Sequence, residues 1–147
     1  MTAMRWRAAG VVVAACSLAV AGCAPPLNDP TRGWDEPASY TATVDYRAYD
    51  TEAGTYRIVV VDHVPVDFER IDNRGAVFSA TALTTASDFT LRQIVGRYQA
   101  ALVDRESSET LTWDSDHMPS EVDIDWYPLQ ITDEQAWTIT DIEVQTP

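Results

Sequence analysis

Lysine is absent from this chain: all ten basic residues are arginine, set against 23 Asp and Glu, for a formal charge of −13. The acidic balance argues against nucleic-acid binding, which needs a positive footprint. It also leaves no amine side chain to act as a nucleophile. Lysine absence beside abundant Ala, Val, Thr and Asp points to a GC-rich coding bias. Histidine is scarce: His63 and His117 stand alone, each in a stretch that reads as a turn. They are expected to be solvated turn residues rather than general bases. Cysteine is limited to Cys16 and Cys23. Two isolated histidines and no cysteine after position 23 give no zinc spacing, and no Gly-x-Ser-x-Gly elbow is present.

What the chain does have begins at its N-terminus. Arg5 and Arg7 precede an almost wholly apolar run over residues 10–20, broken only by Ser17 among hydroxyl residues. That run is shorter than the roughly 20 residues of a spanning helix and has the anatomy of a signal peptide. It ends in Val20-Ala21-Gly22-Cys23, which resembles a bacterial lipobox. The resemblance implies signal-peptidase cleavage between Gly22 and Cys23 and a diacylglyceryl thioether on Cys23. Each buried CH₂ contributes about 0.8 kcal/mol and one chain binds only marginally, so stable anchoring takes two or three acyl chains. Cys16 lies in the leader, so the mature chain would keep one thiol, itself lipidated, and no disulfide.

The expected organisation is therefore a signal peptide over 1–22, a lipidated flexible tether over 23–37 and a single domain over 38–147. Residues 24–37 carry Pro25, Pro26, Pro30, Pro37 and Gly33 with few apolar residues. Fourteen such residues span roughly 20 Å on average. Trp34 stands out as a residue able to dock on the domain. Loss of Arg5 and Arg7 with the leader takes the formal charge from −13 to −15. The domain should then be repelled from an anionic bilayer, leaving the lipid as its one membrane contact.

Within the domain, residues 40–49 open with alternation: Tyr40, Ala42, Val44 and Tyr46 on one face, Thr41, Thr43, Asp45 and Arg47 on the other. This is a half-buried strand. A turn ending at Gly54 leads to a second strand over 55–61, apolar on both faces. Asp62-His63 turns the chain into a third strand near 64–71, where Pro65 suits an edge or a strand start. A short strand over 76–83 is the weakest element. Leu91, Ile94, Val95, Tyr98 and Leu102 then share one helical face. Thr90 and Gln93 match a capping box, Phe89 and Ile94 a hydrophobic staple, and the helix should end near Asp104. Three strands follow, over 109–113, 121–126 and 136–144, the last with a bulge near Asp141. Gly33, Gly54, Gly75 and Gly96 are evenly spaced, but their flanks do not match, so they mark no repeat. Strands, one helix and strands again give an α+β domain: an antiparallel sheet of about five strands with one amphipathic helix on one face.

The tail carries a resemblance. Trp113-Asp114, His117-Met118-Pro119, Ser120 to Trp126 (SEVDIDW), Thr132-Asp133-Glu134 and Trp137-Thr138-Ile139 resemble a family of small bacterial lipoproteins with one α+β domain of unknown function. The likeness covers about residues 38–145. Members often have Gly-Tyr before the proline where this chain has His117-Met118. The resemblance implies a fold and an address, and brings no catalytic residues.

Other constellations have plain readings. Asp114, Asp116, Glu121, Asp123 and Asp125 form the best metal candidate, but the stretch breaks the EF-hand pattern, and Asp123 and Asp125 fit the wet face of a strand. Trp113, Trp126 and Trp137 are in phase with Leu111, Ile124 and Ile139, as core residues would be. Thr41, Thr43, Thr110, Thr112, Thr138 and Thr140 line a polar sheet face that is either solvated or a docking surface. The expectation is a lipid-anchored, extracytoplasmic, non-enzymatic envelope protein that binds or scaffolds another envelope component. It has no catalytic residue, metal ligand or cofactor assigned. A small-ligand or calcium-binding lipoprotein, and a carboxylate-based hydrolase, are the alternatives.

Overall fold

The computed structural model describes residues 29–48, 53–72, 86–104, 106–130 and 132–145. Cys23, Gly22 and the leader, and the weak strand expected over 76–83, lie outside these residues. Among the described residues there are six strands and one main helix: β1 (Tyr40–Ala48), β2 (Gly54–Val61), β3 (Val64–Arg70), α1 (Leu91–Val103), β4 (Ser108–Trp113), β5 (Pro119–Asp125) and β6 (Glu134–Val144). They form one antiparallel sheet in the order β3-β2-β1-β6-β5-β4. The α+β expectation therefore stands, with six strands instead of about five. β3 falls where the third strand was expected, and Pro65 is tolerated because β3 is an edge whose pairing slips between Val59 and Val60, where Val66 is the extra residue.

Two three-stranded meanders, each built from neighbouring segments, meet where β1 pairs with β6. Period-two alternation sends Tyr40, Ala42, Val44, Tyr56, Ile58, Val60, Val122, Ile124, Trp137 and Ile139 to one face, where all are buried. The apolar stripe of α1 (Leu91, Ile94, Val95, Tyr98 and Ala101) is buried as well. The helix lies over β4 and β5, while Phe89 just before it meets Tyr46, Tyr56 and Phe68 at ring separations of 5.4, 4.8 and 5.2 Å. Trp137 stacks on Tyr46 at 5.2 Å. These aromatics join the two meanders through one core.

Local features follow from single residues. Asp62 and His63 both have positive φ (51° and 64°) and form the two-residue turn between β2 and β3, the geometry that matches strand twist in a tight hairpin. The bulge in β6 falls at Asp141, which takes φ 53°. Thr43 pairs with Thr140 but Thr41 with Glu143, so one extra residue is inserted and Ile142 turns back toward the core. Gly54 proves to be a strand residue whose missing side chain makes room: a Cβ there would meet the Arg70 guanidinium at 2.6 Å. Arg70 instead lies against Asp72 and over the Tyr56 ring.

The flexible tether expected over 23–37 needs correction at its end. Residues 29–37 pack on the domain. Asp29 Oδ1 accepts from Thr31 N and Thr31 Oγ1 at 2.8 and 2.6 Å, and Gly33 at φ 84° turns the chain. Thr31 is buried and accepts from Gln99 Nε2 at 2.6 Å. Trp34 packs against Trp113 at 5.8 Å. Prolines at 30 and 37 suggested a flexible chain, yet they flank residues that have specific partners.

Candidate functional site

Glu36 is the residue that position in the sequence disguised most. The first turn of α1 carries no acidic residue, so its free N–H groups and positive dipole end need an acceptor from elsewhere. Three groups supply it. Thr90 Oγ1 accepts from Gln93 N at 3.2 Å, the expected cap. Tyr40 Oη accepts from Leu91 N at 2.9 Å. Glu36 Oε1 accepts from Arg92 N at 2.9 Å and from Tyr40 Oη at 2.8 Å.

The Glu36 side chain is 2% exposed, yet its second oxygen lies 3.4 Å from Arg92 Nε and 3.7 Å from His63 Nδ1. Arg92 Nη2 approaches His63 Nδ1 at 3.1 Å; a guanidinium only donates, so Nδ1 is the acceptor there. The β2–β3 turn is held beside this cluster by His63 N donating to Ala38 O (2.7 Å) and Asp62 N to Ser39 Oγ (3.1 Å). Burial, and secondarily the Glu36 charge, push the Tyr40 phenol well above the usual tyrosine range, while the Leu91 bond pulls the other way. The arrangement suits fastening: it ties the entering segment, the sheet and the helix start together. Tyr40 stays protonated and so offers no base. Sequence reasoning placed Glu36 in the tether; the signal available was a helix with no acid of its own in an acid-rich chain.

The face of the sheet away from α1 is the second candidate. The strand register places Thr55, Asp45, Thr138, Glu121 and Thr112 in one cross-sheet row, and Arg47, Ala136, Asp123 and Thr110 in the next. The six threonines expected on this face fall there: Thr110, Thr112 and Thr140 are exposed and Thr41, Thr43 and Thr138 half-buried. Thr55 Oγ1 donates to Asp45 Oδ1 at 2.8 Å, and Thr112 and Ser120 share a bond at 3.1 Å. Arg57 pairs with Asp67 and Glu69 at 3.1 and 3.7 Å, while Arg47 reaches Glu121 only at 4.0 Å.

At one end of this face an open depression of about 440 Å³ is lined by Arg47, Ala48, Asp123, Asp125, Glu134 and Ala136. Its carboxylates outnumber its single guanidinium. Among the described residues no group of three or more His, Cys, Asp or Glu is arranged to hold a metal ion. Asp114, from the same acidic stretch, is occupied otherwise: its Oδ1 accepts from Asp116 N and Met118 N at 2.9 and 2.8 Å and closes its own turn.

The remaining expectations resolve by position. Trp137 is core, 2% exposed. Trp126 is partly buried and donates from Nε1 to Gln135 Oε1 at 3.3 Å. Trp113 is half-buried between Trp34 and His117, whose ring stacks on it at 4.9 Å. His117 and His63 are both exposed residues of tight turns, and their partners differ: Trp113 and Asp114 for His117, and Glu36, Arg92 and Ala38 for His63. Among the described residues no helix is long and apolar enough to cross a membrane. Comparison with protein families, with curated proteins and with solved structures found no match for this chain.

Proposed function

We propose that this chain is a lipid-anchored envelope protein held on the extracytoplasmic side by Cys23, with a folded domain that binds or scaffolds another envelope component without catalysing a reaction. The observation that carries the address is the apolar run over 10–20 closing on Ala21-Gly22-Cys23 after Arg5 and Arg7. What supports a binding role is the six-stranded sheet with one polar face that α1 does not cover. That face combines hydroxyls, carboxylates and two arginines in regular rows, a chemistry suited to a polar, basic partner surface rather than to an apolar ligand. The resemblance of the tail to small lipoproteins is consistent with the same address.

Two experiments test the proposal. Cys23→Ser should abolish incorporation of labelled fatty acid and release the protein from membranes; continued labelling refutes the anchor. Affinity capture from envelope extracts, using the domain and a variant with Thr43, Thr138 and Thr140 changed to Arg, tests the face. Loss of captured partners in the variant supports it, and an unchanged set sinks it.

A further inference from the structure

The proposed anchor and the packed segment together orient the domain. Glu36 sits at the start of α1, on Arg92 N, and Thr31 sits on Gln99, about two turns further along. Residues 36 to 29, followed backwards, therefore run along α1 toward its C-terminal end. Asp29 arrives near Tyr98, whose phenol is pushed up by burial and by the charges of Glu109 and Asp29. Only five residues separate Asp29 from Cys23, and the six Cα–Cα steps between them reach at most about 20 Å. A domain of this length has a radius of gyration of about 13 Å, so a leash that short lets one end of it approach the bilayer.

That end exposes apolar side chains, as does the β2–β3 hairpin with Val61, Val64 and Val66, but the hairpin lies beside Glu36 at the opposite end of α1 from Asp29. The last turn of α1 exposes Val103 (62%), and the β5–β6 turn exposes Tyr127 (44%) and Leu129 (100%). Tyr127, Pro128, Leu129 and Gln130 border a depression with Glu106 from the α1–β4 loop, which brings the two loops to the same end. A tyrosine beside a fully exposed leucine is the pairing found at the boundary between headgroups and acyl chains.

We infer that Val103, Tyr127 and Leu129 rest on the lipid surface, a second membrane contact beside the acyl chains on Cys23. The inference rests on the anchor reading above, and it revises the expectation that lipid alone would touch the bilayer. The acidic charge still matters: Asp104 and Glu106 flank the patch, so the contact suits a neutral phosphatidylcholine surface and is weakened on an anionic one.

The test uses the full chain processed in a bacterial host and reconstituted in phosphatidylcholine vesicles. A thiol introduced by Leu129→Cys carries an NBD fluorophore, and Ser115→Cys, in the turn at the other end of the β4–β5 hairpin, is the control. Both sites are exposed, so folding is not at stake, and a lipidated Cys23 takes no label. The expected result is a blue shift at position 129 with loss of most iodide quenching, and neither change at 115. Equal emission and quenching at the two positions, with intact mass showing a lipidated Cys23, overturns the docking while the anchor stands. An intact mass showing unmodified Cys23 overturns both. A blue shift that fades when protein is diluted into excess lipid assigns the patch to a second copy of the chain and also overturns the inference.

Discussion

The two faces of the sheet follow one rule of alternation and come to opposite ends. Along β6, Trp137 is buried against Tyr46 while Thr138, the next residue, lies among Asp45 and Glu121 on the open face. One face is determined by packing, where each side chain constrains its neighbours. The other is constrained by little beyond polarity. Stability is therefore expected to reside on the helix-covered face, and variation in recognition on the open one.

The largest test of that contrast is a pair of adjacent substitutions. Trp137→Ala should cost about 3–5 kcal/mol in denaturant unfolding, and Thr138→Ala should stay within about 0.5 kcal/mol. Comparable losses at the two positions would break the comparison. Next in size is the fastening at the helix start. Tyr40→Phe leaves Leu91 N without its acceptor and removes a donor from Glu36, for an expected loss of about 1–3 kcal/mol. Gln93→Ala, a solvent-facing neighbour on the same turn, should change unfolding far less.

A third test is pH. Tyr40 is an acid whose folded value is raised, so the native state holds its proton more tightly than the unfolded chain. Its contribution is fully present below the unfolded value of about 10 and declines as pH rises beyond that. Thermal unfolding should therefore steepen in its loss of stability above about pH 10, and Tyr40→Phe should flatten that alkaline slope. The smallest effect belongs to the open face. Asp123→Asn relieves repulsion with Asp125 and Glu134 around the depression and should raise stability by no more than about 0.5 kcal/mol, an increment that salt removes. A large change there would mean that the open face is packed after all.

What the sequence made legible was local. Alternation identified β1, β2, β5 and β6, and the phase change between Ile139 and Ile142 located the bulge at Asp141. The Thr90 cap and the stripe from Leu91 to Leu102 located α1, and its end at Asp104 agrees with the cap found there. Longer-range relations were not legible. Pairing of β1 with β6 joins Tyr46 to Trp137, and no local pattern specifies a partner that distant. β3 was also placed, with Pro65 at its edge, and the count of about five strands fell below the six segments read one by one because nothing local says which of them join a single sheet. Glu36 was missed because its role depends on Arg92, 56 residues away, while the prolines around it suggested a tether. The proposed lipidation of Cys23, by contrast, rests on four adjacent residues that resemble a lipobox, a signal that is local by its chemistry.

The central claim is that this domain hangs from a membrane by Cys23. Intact mass of the protein extracted from membranes of a processing host tests it most directly. The account predicts a chain lacking residues 1–22 and carrying a diacylglyceryl thioether on Cys23. A chain that retains Arg5 and Arg7, or one that begins elsewhere with a free Cys23 thiol, would contradict it.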